Sequence, residues 1–241
     1  MYKNKWHRIA TVLGLLALLG GCASVPLEDQ DPRDPFQRFN RTMYTFNDGL
    51  DTTVIKPAAQ IYQAVMPTFL NRAITNFFGN LSDVVVALND VLQGKPRQAA
   101  EDTMRVVYNT TFGLLGFFDV ARYMDLPKHD EDFGQTLGTW GVASGPYLVL
   151  PFFGPSSGRD AVGLLVDRTA HPLGLVNPDE DRYMLYALDV VDTRSDLLRA
   201  ERAFEGAALD PYVFLREAYL QRRQRLVYDG HPPPEPMDEE Q

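Results

Sequence analysis

Three Asx-Pro dipeptides, Asp34–Pro35, Asn177–Pro178 and Asp210–Pro211, each stand directly before a stretch with helical periodicity, and they commit much of this 241-residue chain to helix. An Asx oxygen can accept from the free N–H groups of a first turn, and proline at the first helical position lacks only a donor that has no partner there. After the first, Phe36, Phe39, Met43, Phe46 and Leu50 recur at helical spacing, so one face is apolar and largely aromatic. After the second, Asp179, Glu180 and Asp181 set negative charge at the positive end of the helix dipole, and the segment runs to about Ala203. The third closes on Arg222, Arg223 and Arg225, with Gly230 beyond.

Weaker patterns predict helices over 57–65, 69–78, 81–92, 96–112 and 159–170. Only 139–142 and 147–152, separated by A-S-G-P, read as strands, and they would pair as one hairpin. The fold class is therefore mainly α, with at most one small β-hairpin.

The N-terminus fixes where such a chain works. Lys3, Lys5 and Arg8 precede an apolar stretch over 9–19 that is too short to span a bilayer, followed by L-G-G-C ending at Cys22. Residues 1–21 read as a cleaved lipoprotein signal peptide, and Cys22, the chain's single cysteine, as the lipidated first residue of the mature protein. Ala23 and Ser24 follow the cysteine where an inner-membrane lipoprotein tends to carry Asp, so the outer membrane of a Gram-negative bacterium, facing the periplasm, is the expected address. Residues 22–33 read as lipidated N-terminus and spacer, 34–229 as a single helical domain, and 230–241 as a disordered acidic, proline-rich tail.

The leader removes three of the 23 basic residues and none of the 32 acidic ones, which leaves a mature formal charge of −12. That charge opposes nucleic acid and anionic lipid surfaces alike, so membrane attachment falls to the anchor. Two stretches, around 74–88 and over 106–121, are apolar on nearly every side without forming an unbroken 18-residue run. They read either as central core helices or as helices lying in one leaflet with Asn76, Asn80, Asn109 and Thr110 turned toward an interior channel. The glycine-rich stretch 134–163, with Gly134, Gly138, Gly141 and Gly145, reads as a flexible gate loop or as a closely packed connector. Arg216, Arg222, Arg223 and Arg225 are either a solvated helix end or a docking patch for an acidic partner or lipid phosphates.

Two catalytic readings are weak. Gly154–Gly158 matches G-x-S-x-G, with Asp160 or Asp167 and His171 following in hydrolase order, but a nucleophile elbow needs a parallel sheet that this chain has no strands to build. Ser156 or Ser157 serves better as a helix cap. The histidines, His7, His129, His171 and His231, show no metal-ligand spacing, and no cofactor motif is present.

Against that background the chain resembles the MlaA/VacJ family of outer-membrane phospholipid-transport lipoproteins. The matching stretches are D-P-F-Q-R-F-N-R from Asp34, N-F-F-G-N-L from Asn76, L-N-D-V-L-Q-G from Leu88 and Y-N-T-T-F-G-L-L-G-F-F-D-V-A from Tyr108. They continue with D-F-G-Q-T-L-G-T-W-G-V from Asp132, G-P-Y-L-V-L-P-F-F-G-P-S from Gly145 and D-P-Y-V-F-L-R-E-A-Y-L-Q-R-R from Asp210. Gln37 stands where the family usually has an acidic residue, and the tail is this chain's own. The resemblance implies a ring of helices in the inner leaflet around a central phospholipid channel, beside a trimeric porin. Lipid strayed into the outer leaflet would pass through it to the periplasmic carrier MlaC, with no bond made or broken. A scaffold lipoprotein and, more remotely, a lipid-directed hydrolase using Ser156 are the alternatives.

Overall fold

The structure, a computed structural model, describes residues 31–204 and 210–233, with side chains left aside at 199–200 and 202–204. The leader, Cys22 and most of the acidic tail lie outside the described residues.

Helix α1 (Gln37–Leu50) passes through one wide turn (Asp51–Ile55) directly into α2 (Lys56–Val65). Then come α3 (Thr68–Leu92) and α4 (Pro96–Thr111), a 3-10 turn (Ala121–Met124) and α5 (Phe133–Thr139). Strands β1 (Tyr147–Leu150) and β2 (Gly154–Ser157) form an antiparallel hairpin with Tyr147 opposite Ser157. The chain closes with α6 (Gly158–Ala170), a second 3-10 turn (Pro172–Leu175), α7 (Asp179–Phe204) and α8 (Pro211–Val227).

Helices α3 and α4 make an antiparallel hairpin through a three-residue turn. Gly94 sits at φ +71°, and Lys95 N–H reaches Asp90 C=O at 2.9 Å while Gly94 N–H reaches Val91 C=O at 3.1 Å. This is a Schellman end, which requires a left-handed residue after the cap and so favours glycine there. The expected break between 78 and 81 does not occur. Gly79 stays helical, and its bare Cα leaves room for Lys128, whose Nζ donates to Gly79 C=O at 3.3 Å and to Asp83 at 2.6 Å.

Of the three Asx-Pro starts, only Asp210 caps as expected, its carboxylate accepting from Tyr212 N–H and Val213 N–H. Asn177 donates instead to Leu175 C=O, and α7 begins after a cis Asn177–Pro178 bond. Asp34 turns fully inward, where Asn40 Nδ2, Tyr212 OH and Arg216 Nη1 converge on its carboxylate. The last residues of the expected spacer also belong to the packed body: Arg33 pairs with Asp31 and Glu217, and its C=O accepts from Tyr147 N–H.

The hairpin partner differs from the expected one. Residues 139–142 end α5 and turn, while Gly154–Ser157 supplies the second strand. The other edge of β1 is closed by side chains of α1. Asn40 donates to Tyr147 C=O at 2.9 Å and accepts from Val149 N–H at 2.8 Å; Asn47, two turns on, repeats this with Leu150 C=O and Phe152 N–H. Two carboxamides thus replace a third strand and satisfy an edge that would otherwise invite pairing.

Candidate functional site

The distribution of polarity is inverted relative to an ordinary globular domain. The apolar cluster around Tyr147, Val149 and Tyr212 is small, whereas Asp34, Asn40, Asp83, Asp102, Arg105 and Asp192 are all nearly or wholly buried. Large apolar side chains face outward: Ile61, Phe69, Phe112, Leu114, Leu115 and Leu175 are each more than half exposed. Helix α1 follows the same pattern, with Phe39 and Phe46, and Phe36 just before it, outside and Asn40 inside. Charged residues are normally found outside and Leu or Phe inside, and an extended apolar exterior marks contact with lipid or protein. Among the described residues no helix is long and apolar enough to cross a membrane.

The apolar stretch after α4 shows this most plainly. Helix α4 stops at Thr111, and residues 112–118 fold back as a loop in which Leu114 and Leu115 take φ of 52° and 61°. Leucine in left-handed backbone costs of order 1–2 kcal/mol per residue. The loop is held by Leu115 N–H to Thr110 C=O, Gly116 N–H to Asn109 C=O and Phe118 N–H to Gly113 C=O, and the outcome is a tip of exposed leucine and phenylalanine.

Inside, α3, α4, the 119–130 connector and α7 line a half-open cavity of about 590 Å³, bordered mostly by polar residues and called the polar cavity below. Asn76, Asn80 and Asn109 border it; Thr110 does not, but is exposed and accepts from Asn80 Nδ2 at 2.9 Å. Asn76 donates to Phe117 C=O at 3.3 Å, and Asn109 bridges Asp119 and Ala121 N–H. The wall also carries charges that the sequence reading passed over. Arg105 spans Asp119 and Leu126 C=O, Lys128 holds Asp83, and Asp192 accepts from Tyr62 OH, Asn71 and Thr75. Burial pushes Asp189 up, and the Asp192 charge adds to it. Burial also raises Asp83, with Lys128 and Arg105 opposing. Asp119 ends below the usual carboxylate range, because its bonds to Asn109 and Arg105 outweigh burial. The missed signal was a charge set within an apolar run, as Asp83 stands before V-V-V.

The glycine stretch lies elsewhere. Gly134 and Gly138 are helical, in α5, and a Cβ on Gly134 would fall 2.5 Å from Asp160 Oδ1. One on Gly163 of α6 would fall 2.4 Å from Gly134 N, so α5 and α6 meet backbone to backbone. Gly141 and Gly145 have φ of +88° and +68° and form turns. None of the four borders the polar cavity; Gly138 and Gly141 line a separate groove with Arg159 and Val227. A Cβ at Gly141 meets nothing within 4 Å, so Gly141→Ala is expected to cost only the 1–2 kcal/mol of left-handed backbone. Thermal unfolding should show that small loss and no more; a loss well above it would mean that the residue has a packing role beyond its turn.

The arginine set divides in two. Arg216 is held by Asp31, Asp34 and Glu217, and Arg223 by Asp132 and Asp160, both largely buried. These two are fastened inside the body and drop out of the docking set. Arg222, in an exposed pair with Asp130, and exposed Arg225 remain at the surface. The G-x-S-x-G residues have local roles: Ser157 caps α6 by accepting from Asp160 N–H, and Ser156 Oγ lies 3.4 Å from Ser157 C=O. Asp167 accepts from Asn89 and Phe133 N–H, and His171 Nδ1 from Leu173 N–H.

Residues 32–226 match the family model described as MlaA lipoprotein. The chain belongs to the MlaA lipoprotein family. Relatives called "Intermembrane phospholipid transport system lipoprotein MlaA" from Shigella flexneri and Escherichia coli (strain K12) are each 36% identical over 223 residues, covering 90% of this chain and 88% of theirs. The Haemophilus influenzae relative of that name is 33% identical over 232 residues, covering 94% and 92%. A solved structure, reported in work on the structural basis for maintenance of bacterial outer membrane lipid asymmetry, is similar at a TM-score of 0.71 and 31% identity. It covers 80% of this chain and 98% of its own.

Proposed function

We propose that this chain is an outer-membrane lipoprotein, anchored at Cys22, that removes phospholipid from the outer leaflet through its polar cavity and passes it toward the periplasm. The observation that carries this reading is the inverted polarity: an apolar exterior suited to acyl chains around a polar cavity suited to headgroups. Helices too short or too polar to cross a bilayer suit residence in one leaflet. The family's transport lipoproteins support the same reading. Following the family resemblance, a periplasmic carrier of the MlaC type would receive the lipid and a trimeric porin would stand beside the ring, with exposed Arg222 and Arg225 available to an acidic partner. Lipid moves by partitioning, so no residue needs to act as a nucleophile.

The test is outer-leaflet phospholipid in cells lacking the chain, complemented by wild type, Ser156→Ala and Asn76→Trp. Deletion should raise it, wild type and Ser156→Ala should restore it, and Asn76→Trp, which adds an indole at the cavity wall, should fail at normal protein level. Failure of Ser156→Ala would favour hydrolysis, and rescue by Asn76→Trp would separate the cavity from transport.

A further inference from the structure

The turn between α3 and α4 brings two carboxylates together that are twelve residues apart in sequence, Asp90 near the end of α3 and Asp102 in the second turn of α4. Both are fully buried. The 125–132 connector lays His129 against them, its Nδ1 2.6 Å from Asp102 Oδ2, and one donor atom from each of the three residues lies within 4.8 Å of the others. No donor group reaches either oxygen of Asp90, although the side chain is wholly inside the protein; its neighbour is another carboxylate, Asp102, to which it can bond only through a shared proton. Lys95, in the turn after α3, is engaged with Glu131 and Asp229, and Arg105 of α4 with Asp83 and Asp119. Buried carboxylates are normally paired, hydrogen-bonded or coordinated to metal. A proton shared between Asp90 and Asp102 would serve one Asp90 oxygen and leave the other bare.

We propose that Asp90, Asp102 and His129 bind a divalent transition-metal cation, zinc being the best match to one imidazole nitrogen and two carboxylates. Zinc sits about 2.0–2.2 Å from such donors. The cluster must therefore draw in slightly, while the Asp102–His129 contact opens as the metal replaces the proton between them. Neutral His129 then keeps its proton on Nε2, which faces Glu101 Oε2 at 3.7 Å, a carboxylate placed to orient the ring. Any proton displaced from Nδ1 leaves to solvent on the His129 side, the one part of the cluster that is open, with 19% of its side chain exposed. Bound metal would pin the connector to the α3–α4 hairpin. His129 lies between Lys128 and Asp130, which line the polar cavity, so the same metal would fix part of that wall. The site does not depend on the transport reading. Ligand spacing along the chain gave no hint of it, because its three donors come from three separate segments.

The test uses the full chain, purified in detergent and stripped with chelator, titrated with zinc by calorimetry and with cobalt(II) by visible absorption. One zinc per chain is expected, with proton release, a rise in Tm and a cobalt d–d band. Asp90→Asn and His129→Gln should each weaken zinc at least tenfold while circular dichroism stays that of wild type. No zinc uptake by folded wild type would overturn the proposal, as would variants that bind like wild type. A gain in stability in Asp90→Asn, with no response of wild type to metal, would overturn it in favour of a proton-sharing pair.

Discussion

Arg223→Met is expected to lower stability by about 3–5 kcal/mol, the range for removing one partner from a buried ion pair. Arg223 Nη1 and Nη2 grip both oxygens of Asp132, the N-cap of α5 whose carboxylate also accepts from Gln135 N–H. Nη2 reaches Asp160 in the first turn of α6 at 3.0 Å, and Tyr219 OH joins the same carboxylate at 2.5 Å. One guanidinium therefore fastens α5, α6 and α8 where α5 and α6 are already too close for a Cβ. Methionine keeps the stem's packing, leaves Asp132 without its cation and leaves Asp160 with Arg159 alone, whose Nε stays 2.9 Å from Oδ1. Arg222→Met, one residue earlier, removes an arginine whose pair with Asp130 is about 70% exposed on both sides, and exposed pairs contribute about 0–1 kcal/mol. Chemical denaturation of the two variants in parallel checks the contrast. Equal midpoints would show that the ion pairs of Arg223 contribute no more than the exposed pair of Arg222.

The same cluster sets a pH dependence. Burial alone would raise Asp132 and Asp160, but Arg223 outweighs it at Asp132, and Arg223 together with Tyr219 OH and Arg159 outweighs it at Asp160, so both lie below the ordinary value of 3.8. A carboxyl depressed in the folded state contributes stability that is present above its unfolded pKa and lost as pH falls through the folded one. Wild type should therefore weaken below about pH 4. In Arg223→Met burial is left to dominate at Asp132, while Asp160 keeps Arg159 and Tyr219 and moves up less, so the acid-limb slope should flatten.

How far the sequence could be read follows from what each signal reports. Periodicity located the helices because it depends on neighbours three and four residues away, and Asp210 capped as expected because its partners are the next N–H groups in the chain. It did not report which face turns inward. The aromatic stripe of α1 lies outside, and Asn40 and Asn47, indistinguishable in sequence from ordinary surface residues, hold the edge of β1. Asp34 shows the same limit, since a carboxylate placed to cap locally is drawn inward by Tyr212 and Arg216, nearly 180 residues away. The hairpin was misjudged because G-P-S-S carries no strand propensity and pairs only through register with β1. Of the candidate cavity residues, the asparagines were legible as small polar groups in apolar runs. The charges facing them from the connector and α7 were not, because nothing local ties 128 or 192 to 80.

Cys22→Ala is expected to abolish function altogether, with outer-leaflet phospholipid rising to the level of the deletion strain. The apolar exterior also favours a leaflet, so the two contributions must be compared. A mature charge of −12 repels anionic lipid surfaces, and the aromatic and leucine side chains touch lipid only after the body has reached the right membrane. Acyl chains supply about 0.8 kcal/mol for each buried CH₂; one chain holds marginally and two or three hold essentially permanently. On the proposed reading, the anchor at Cys22 is therefore the term that decides residence, and the apolar surface the term that decides depth. Without the thiol there is no lipid attachment, and the protein should leave the outer-membrane fraction while its helical content stays unchanged. Fractionation, circular dichroism and outer-leaflet phospholipid measured on one strain separate these effects. Normal lipid asymmetry with an unlipidated chain would show that the apolar exterior alone suffices and would remove the anchor from the mechanism.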